Sequence, residues 1–422
     1  MLKVLTNLIR KETTVEKLQP IKETERLELI DIIRGIAIFG ILLVNMAHFS
    51  YPDMYIMYLS DNNFIKESWH VLDHITRWLL DVFVQGKFIT MFSFLFGFGM
   101  VMMMERAQRK ELAFVPLFTK RLIALLVFGI IHAFFIWDGD ILMDYAVLGF
   151  ILLLFRHCKP KTLIIWALSL FALYSLILSA IGVLSMTFSN EEVFGEEFIL
   201  SMEREALQAY DMYQNGTVME VFAQRIHDRL YYMDASGMWP FNPLMYLLFM
   251  IPYFSMFLLG AAFHKLRIFQ NRSKHRSLMK RVLVISLIIG LPINLLSAYE
   301  PSFVTVGGPF LMLVYVMSIA LLVDHQAWKL MLKPFASVGR TAFSNYIFQS
   351  IICTTLFYSY GFGLYGKVNP FLGIWISILI FILQVVLSKL WLRNYRMGPL
   401  EWVWRTITYG EVQPLKRVEK MN

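Results

Sequence analysis

The chain has 422 residues, 57% hydrophobic and only 17% charged, with a formal net charge of +8. Soluble domains carry about 45–50% apolar and about 25% charged residues, so a water-soluble domain of ordinary composition is excluded. The apolar residues come in blocks of about 17–25, the length that crosses a bilayer core, which predicts an all-α polytopic membrane protein.

Residues 1–28 form a polar arm with five acidic residues. A cleaved leader starts short and basic, so the first apolar block is expected to be retained. Ten blocks follow, at 29–50, 87–104, 121–137, 140–155, 161–187, 242–263, 281–299, 308–323, 335–357 and 370–392. Every second link is basic. Arg106, Arg109, Lys110, Lys120 and Arg121 form one such link, and Arg156, Lys159 and Lys161 another. The stretch "HKLRIFQNRSKHRSLMKR" has seven Lys/Arg and no acid. Lys329 and Lys333 precede the ninth block, and Arg393, Arg396, Arg405, Lys416, Arg417 and Lys420 follow the tenth. This alternation places both termini in the cytoplasm.

Segment 64–86 sets Phe64, Trp69, Leu72, Ile75, Leu79 and Phe83 against charged residues, which predicts an outer interfacial helix that does not cross. Link 188–241 has ten acids and three arginines. It places Phe198, Met202, Leu207 and Tyr210, then Val218, Phe222 and Ile226, at near-helical spacing, which predicts a small helical outer cap. The "NGT" at Asn215 matches a glycosylation acceptor, but such a tripeptide arises often by chance and is read as a plain turn. The expected organisation is an N-terminal arm (1–28), a transmembrane domain (29–392) carrying the insertion 188–241, and a C-terminal tail (393–422). Cys158 and Cys353 make no disulfide framework.

The polar residues inside these blocks are the informative ones. "DIIRGIAIFGILLVN" opens with Asp31 and Arg34, which share a helix face, and ends with Asn45; His48 lies one turn on. Asn45 is about 21 Å beyond Asp31 at 1.5 Å per residue, so one helix carries polar groups near both of its ends. In "RLIALLVFGIIHAFFIWDGDILMDYAVLGF", Asp138, Gly139 and Asp140 read as a tight turn in which Asp140 can cap the next helix. His132 needs a polar partner at membrane depth, and Asp140 is the natural one. Histidine with a carboxylate suits a general base, and equally proton-coupled transport. In "GKFITMFSFLFGFGM", Lys87 either snorkels or holds an anion, while Ser93, Gly97 and Gly99 permit close helix contact. In "SVGRTAFSNYIFQS", Arg340, Ser344, Asn345, Gln349 and Ser350 are expected to face the bundle interior as glue or as a site. In "MGPLEWVWRTITYGE", Glu401 and Arg405 are spaced to pair. No phosphate-cradling glycine loop, metal-ligand spacing or nucleophile elbow occurs, and the basic links follow from topology rather than nucleic-acid binding.

These blocks, in order, resemble the YeiB-like membrane proteins, domain-of-unknown-function family 418, over about residues 25–411. The opening stretch is also similar to the transmembrane acyltransferase group, which includes the acyltransferase-3 proteins and heparan-glucosaminide N-acetyltransferase. Asp31, Arg34 and Gly35 match its Asp-x-x-Arg-Gly start, and Asn45 stands where the lysosomal enzyme has Asn and the acyltransferase-3 proteins commonly have His. The resemblance implies a bacterial plasma membrane, acyl-CoA bound from the cytoplasm, and transfer of an acyl group, acetyl among the candidates, to an outer glycan or lipid-linked acceptor. On that reading Asp31, Arg34, Lys87, Arg340, Asn345 and Gln349 bind substrate, and His132, Asp140, Asn45 and His48 serve the chemistry, about one shared cleft. No metal is called for. The alternative is a transporter or exporter that uses the same groups without a covalent step.

Overall fold

The computed structural model describes residues 27–56, 59, 64–188, 195–233 and 243–417. Most of the N-terminal arm, the two edges of the 188–241 insertion and the last five residues lie outside them. All regular elements among the described residues are helical.

In chain order these are α1 (Glu28–Ser50), α2 (Val71–Phe83), α3 (Lys87–Arg109), α4 (Phe114–Ile131), α5 (Leu142–Leu154), α6 (Pro160–Thr187), α7 (Glu196–Asn215) and α8 (Val218–Met233). They are followed by α9 (Ile251–Lys265), α10 (Arg272–Leu296), α11 (Ser302–Leu322), α12 (Gln326–Arg340), α13 (Ala342–Phe357), α14 (Pro370–Asn394) and α15 (Pro399–Tyr409). Among the described residues, seven helices are long and apolar enough to cross a membrane, α2 and α3 counting as one apolar run. The protein is therefore multi-pass. Three of the ten expected spans fall instead on the shorter helices α5, α9 and α13, of 13, 15 and 16 residues. At 1.5 Å per residue these by themselves reach about 20–24 Å against a hydrocarbon core of about 30 Å, and α9 directly follows a further short helix, Pro243–Phe249. The exposed apolar side chains of α6, such as Leu168, Leu173 and Leu176, suit lipid rather than water.

Glycines set the tightest helix crossings. A Cβ on Gly97 of α3 would overlap the Phe257 carbonyl of α9, and one on Gly260 would overlap the Phe94 carbonyl in return. Gly35 of α1 and Gly339 of α12 meet backbone in the same way, Gly339 against the Asp31 carbonyl. Gly99 has no such role, because its nearest neighbour, Arg34 Nη2, would be 3.9 Å from the added atom. Gly97→Ala is expected to lose about 1–3 kcal/mol through overpacking, while Gly99→Ala stays near neutral. Thermal unfolding in detergent compares the two, and equal midpoints would contradict this assignment.

The expected span 335–357 is broken at Thr341, and the break explains Glu401. Glu401 of α15 turns both carboxylate oxygens to the N-terminus of α13. Oε1 accepts from the Phe343 N–H at 2.7 Å and the Ser344 N–H at 3.3 Å, and Oε2 from Ser344 Oγ at 2.5 Å. The expected pairing with Arg405 is thus replaced by a helix cap, since the orphan N–H groups of a buried helix start demand acceptors. Burial pushes the Glu401 carboxyl up, against the pull of these hydrogen bonds. A raised folded-state value stabilises below the ordinary 4.5 and loses that contribution as pH rises through it. The stability of the native protein relative to Glu401→Gln should therefore fall as pH climbs above 4.5. A pH-independent difference in unfolding midpoint would refute this.

The "NGT" site is a turn. Asn215 closes α7, and Thr217 and Glu220 form a reciprocal cap at the start of α8, Thr217 N–H to Glu220 Oε2 at 2.7 Å.

Candidate functional site

The link between α4 and α5 organises the polar interior. The end of α4 widens into one π-helical turn, His132–Ile136, closed by the Trp137 N–H on the His132 carbonyl at 2.8 Å. Such turns occur frequently at functional sites. The chain then reverses at Asp138 and Gly139, with the Asp140 N–H on the Asp138 carbonyl at 2.8 Å.

Asp140 does two jobs at once. Oδ2 caps α5 by accepting the Met143 N–H at 2.8 Å, and Oδ1 lies 2.8 Å from His132 Nδ1. The other ring nitrogen of His132, Nε2, lies 2.9 Å from Ser350 Oγ on α13. A carboxylate can only accept, so Nδ1 carries its proton toward Asp140, and in the neutral ring Nε2 presents a lone pair to the serine hydroxyl. Carboxylate, imidazole and hydroxyl thus form a relay, with His132 fully buried and Ser350 and Asp140 only 1% and 2% exposed. Tyr346 and Trp137 cover the imidazole, their ring centres 5.1 and 6.2 Å away. The buried indole N–H of Trp137 has no hydrogen-bond partner among the described residues.

A second histidine–carboxylate pair lies on the other side of Trp137. His48 Nε2 is 2.7 Å from Asp138 Oδ2, so Asp138 is more than the turn residue its context implied. Burial works to raise the Asp138 carboxyl, but the neighbouring His48 outweighs it and holds the group below the usual range. Both residues line a narrow pocket of about 10 Å³, the room of about one water. Across it, Asp228 accepts from Tyr55 at 2.7 Å, Tyr213 at 2.6 Å and Gln224 Nε2 at 2.7 Å. Burial and Asp228 together push both phenols up, so they stay donors.

Sequence reasoning missed the residue that holds this link in place. Arg229 of α8, fully buried, donates to the carbonyls of Asp140 at 2.9 Å and Asp138 at 3.3 Å, and to Asp144 Oδ1 at 3.0 Å. Tyr246 also donates to Asp144 Oδ1. Arg225, one turn earlier, donates to the Phe135 carbonyl at 2.8 Å. The buried face of α8 is Val221, Gln224, Arg225, Asp228 and Arg229, and the apolar stripe expected inside is more exposed, with Val218 at 64%. On α7 the expected Leu207 is likewise exposed, and Met202, Ala206, Ala209 and Tyr213 are buried. The available signal was the i, i+4 repeat of Gln224 with Asp228 and Arg225 with Arg229.

The remaining candidates make contacts outside the relay. Lys87 is buried and donates to the Asp81 carbonyl at 2.8 Å, tying the α2–α3 turn. Asn345 Nδ2 donates to Thr341 Oγ1 at 2.7 Å and Ser388 Oγ at 3.0 Å. Gln349 Nε2 donates to Gln384 Oε1 at 2.8 Å, and Gln384 Nε2 to the Asn345 carbonyl at 2.8 Å, so these groups join α13 to α14. Asp31 and Arg34 face each other at 3.5 Å, and Arg340 Nη2 donates to the Arg396 carbonyl at 3.3 Å. Asn45 is half-buried, with no hydrogen-bond partner among the described residues. Fourteen residues of α1, about 21 Å, separate Arg34 from His48.

Residues 263–411 match the family model described as "Protein of unknown function (DUF418)". The uncharacterized protein YxaH of Bacillus subtilis (strain 168) is 48% identical over 409 residues, covering 96% of this chain and 100% of the relative. The uncharacterized protein YeiB of Escherichia coli (strain K12) is 27% identical over 412 residues, covering 92% of this chain and 98% of the relative. With so close and complete a match to YxaH, the chain belongs to the YeiB-like DUF418 family of multi-pass membrane proteins.

Proposed function

We propose that this protein is an integral-membrane acyltransferase, moving an acyl group from acyl-CoA at the cytoplasmic side to a hydroxyl or amine of an outer glycan or lipid-linked acceptor. The single observation that carries this reading is the buried Asp140–His132–Ser350 relay. His132 Nε2 takes the proton of Ser350 as Oγ attacks the thioester carbonyl, and Asp140 supports the imidazolium. The C–S bond breaks and the thiol leaves with that proton. The acceptor then attacks the serine ester and gives its proton to His132. His132 returns it to Oγ as the ester bond breaks. The Trp137 indole N–H is the available donor for the developing oxyanion. Because the relay is covered, Trp137 and Tyr346 must shift for an acyl group to enter. Ser350 here takes the role that acceptor deprotonation alone would leave empty. His48 and Asn45 stand outside the relay. The test is incubation of purified protein with labelled acetyl-CoA, and the expected result is label on Ser350, found by peptide mapping and absent from Ser350→Ala. Transfer to acceptor without label on the serine would remove the covalent step and leave His132 as base alone.

A second reading, proton-coupled transport, draws on the His48–Asp138 pair, which lines a polar pocket opposite Asp228. Flux in proteoliposomes that follows a proton gradient, with no acyl transfer, would favour it.

A further inference from the structure

A separate pocket, of about 130 Å³, lies where the C-terminal ends of α3 and α9 meet the N-terminal end of α1. Glu105, Arg106, Arg109, His264, Arg267 and Gln270 supply its polar lining. Arg109 and Arg267 both face one carboxylate, Glu105, and Arg106 stands on the same wall. That carboxylate is shared loosely: Glu105 is 3.8 Å from Arg109, 3.5 Å from Arg267 and 3.6 Å from His264. Arg109 and Arg267 keep 66% and 55% of their side chains exposed, so they can be reached.

Basic residues at helix C-termini are ordinarily explained by the helix dipole. A further observation exceeds that explanation. Two buried atoms of the lining, His264 Nδ1 and Gln270 Oε1, have no hydrogen-bond partner among the described residues.

We propose that this pocket binds a phosphate-bearing ligand, with Arg106, Arg109 and Arg267 as its cationic wall. Guanidinium groups pair with phosphate oxygens through two parallel hydrogen bonds, a geometry the loosely held carboxylate does not satisfy. The phosphate belongs either to a lipid headgroup at the membrane boundary or to a soluble compound such as coenzyme A. The proposal stands without the acyl-transfer reading, and in the second case identifies where the donor docks. Arg34 and Arg340, the earlier candidates for that task, already engage Asp31 and the Arg396 carbonyl.

The test uses the full-length protein in detergent, titrated in one arm with coenzyme A and in the other with short-chain phosphatidylglycerol in mixed micelles, binding being read by native mass spectrometry and thermal shift. One arm is expected to bind, and which one identifies the source. Binding should weaken about tenfold or more in Arg106→Gln/Arg267→Gln, and fall as salt rises from about 50 to about 500 mM. Arg109→Gln, at an exposed position, should weaken it without perturbing the fold. His132→Ala should leave it intact, so failure of the catalytic reading is seen separately. Binding in neither arm, or undiminished binding in all the arginine variants, overturns the proposal.

Discussion

Arg229→Ala is expected to lower stability by about 3–5 kcal/mol, the usual cost of removing one partner from a buried ion pair. Arg229 is fully buried, and its loss strands the Asp144 carboxylate in the interior with Tyr246 as its remaining donor among the described residues. It also frees the carbonyls of Asp138 and Asp140, which fix the link carrying both histidine–carboxylate pairs. Arg229→Lys should recover only part of the loss, because donors radiating from one nitrogen do not reproduce the planar fork that spans these acceptors. Adding Asp144→Asn to Arg229→Ala should restore some stability by removing the stranded charge. Unfolding midpoints in a single detergent provide the cycle. If Arg229→Ala melts with the native protein, α8 does not anchor the link.

Single alanine replacements at His132 and Ser350 should each reduce acyl transfer by about 10⁴-fold or more, and the double replacement should do no further harm. Residues acting as one relay fail together, whereas independent contributions multiply. Asp140→Asn should approach the same loss, since an amide facing Nδ1 favours the wrong tautomer. Ser350→Ala leaves the His132–Asp140 contact of 2.8 Å in place, so its unfolding midpoint should stay close to native. Initial rates from labelled acyl-CoA measure the effect. Multiplying losses would show that His132 and Ser350 do not share a step.

Much of this architecture is legible in the amino-acid order, because hydrocarbon selects composition block by block. The pairing of His132 with Asp140 is readable too, since eight residues and one reversal separate them. Ser350 stands out as a polar residue in an apolar block, but one sequence does not say which helix faces it. Arg229 was hidden for a different reason. Helical periodicity assumes an apolar partner surface, whereas α8 packs against a link of carbonyls and carboxylates and so turns its polar face inward. Glu401 was misread because local i, i+4 spacing competed with a distant helix start, and buried N–H groups without acceptors won. Residues 335–357 read as one block because averaged hydropathy passes over the break at Thr341.

The relay joins residues 218 positions apart. At about 5–20 residues per second of translation, His132 is made roughly 10 to 40 s before Ser350 exists. During that interval the imidazole and Asp140 have each other but no serine, and Arg229 is also still to come for part of it. The nascent chain must shelter this half-built polar centre from lipid while later segments emerge. Insertion machinery that holds early segments back is therefore a requirement of making the protein, and a ribosome stalled before α13 should yield an intermediate that remains crosslinkable to it.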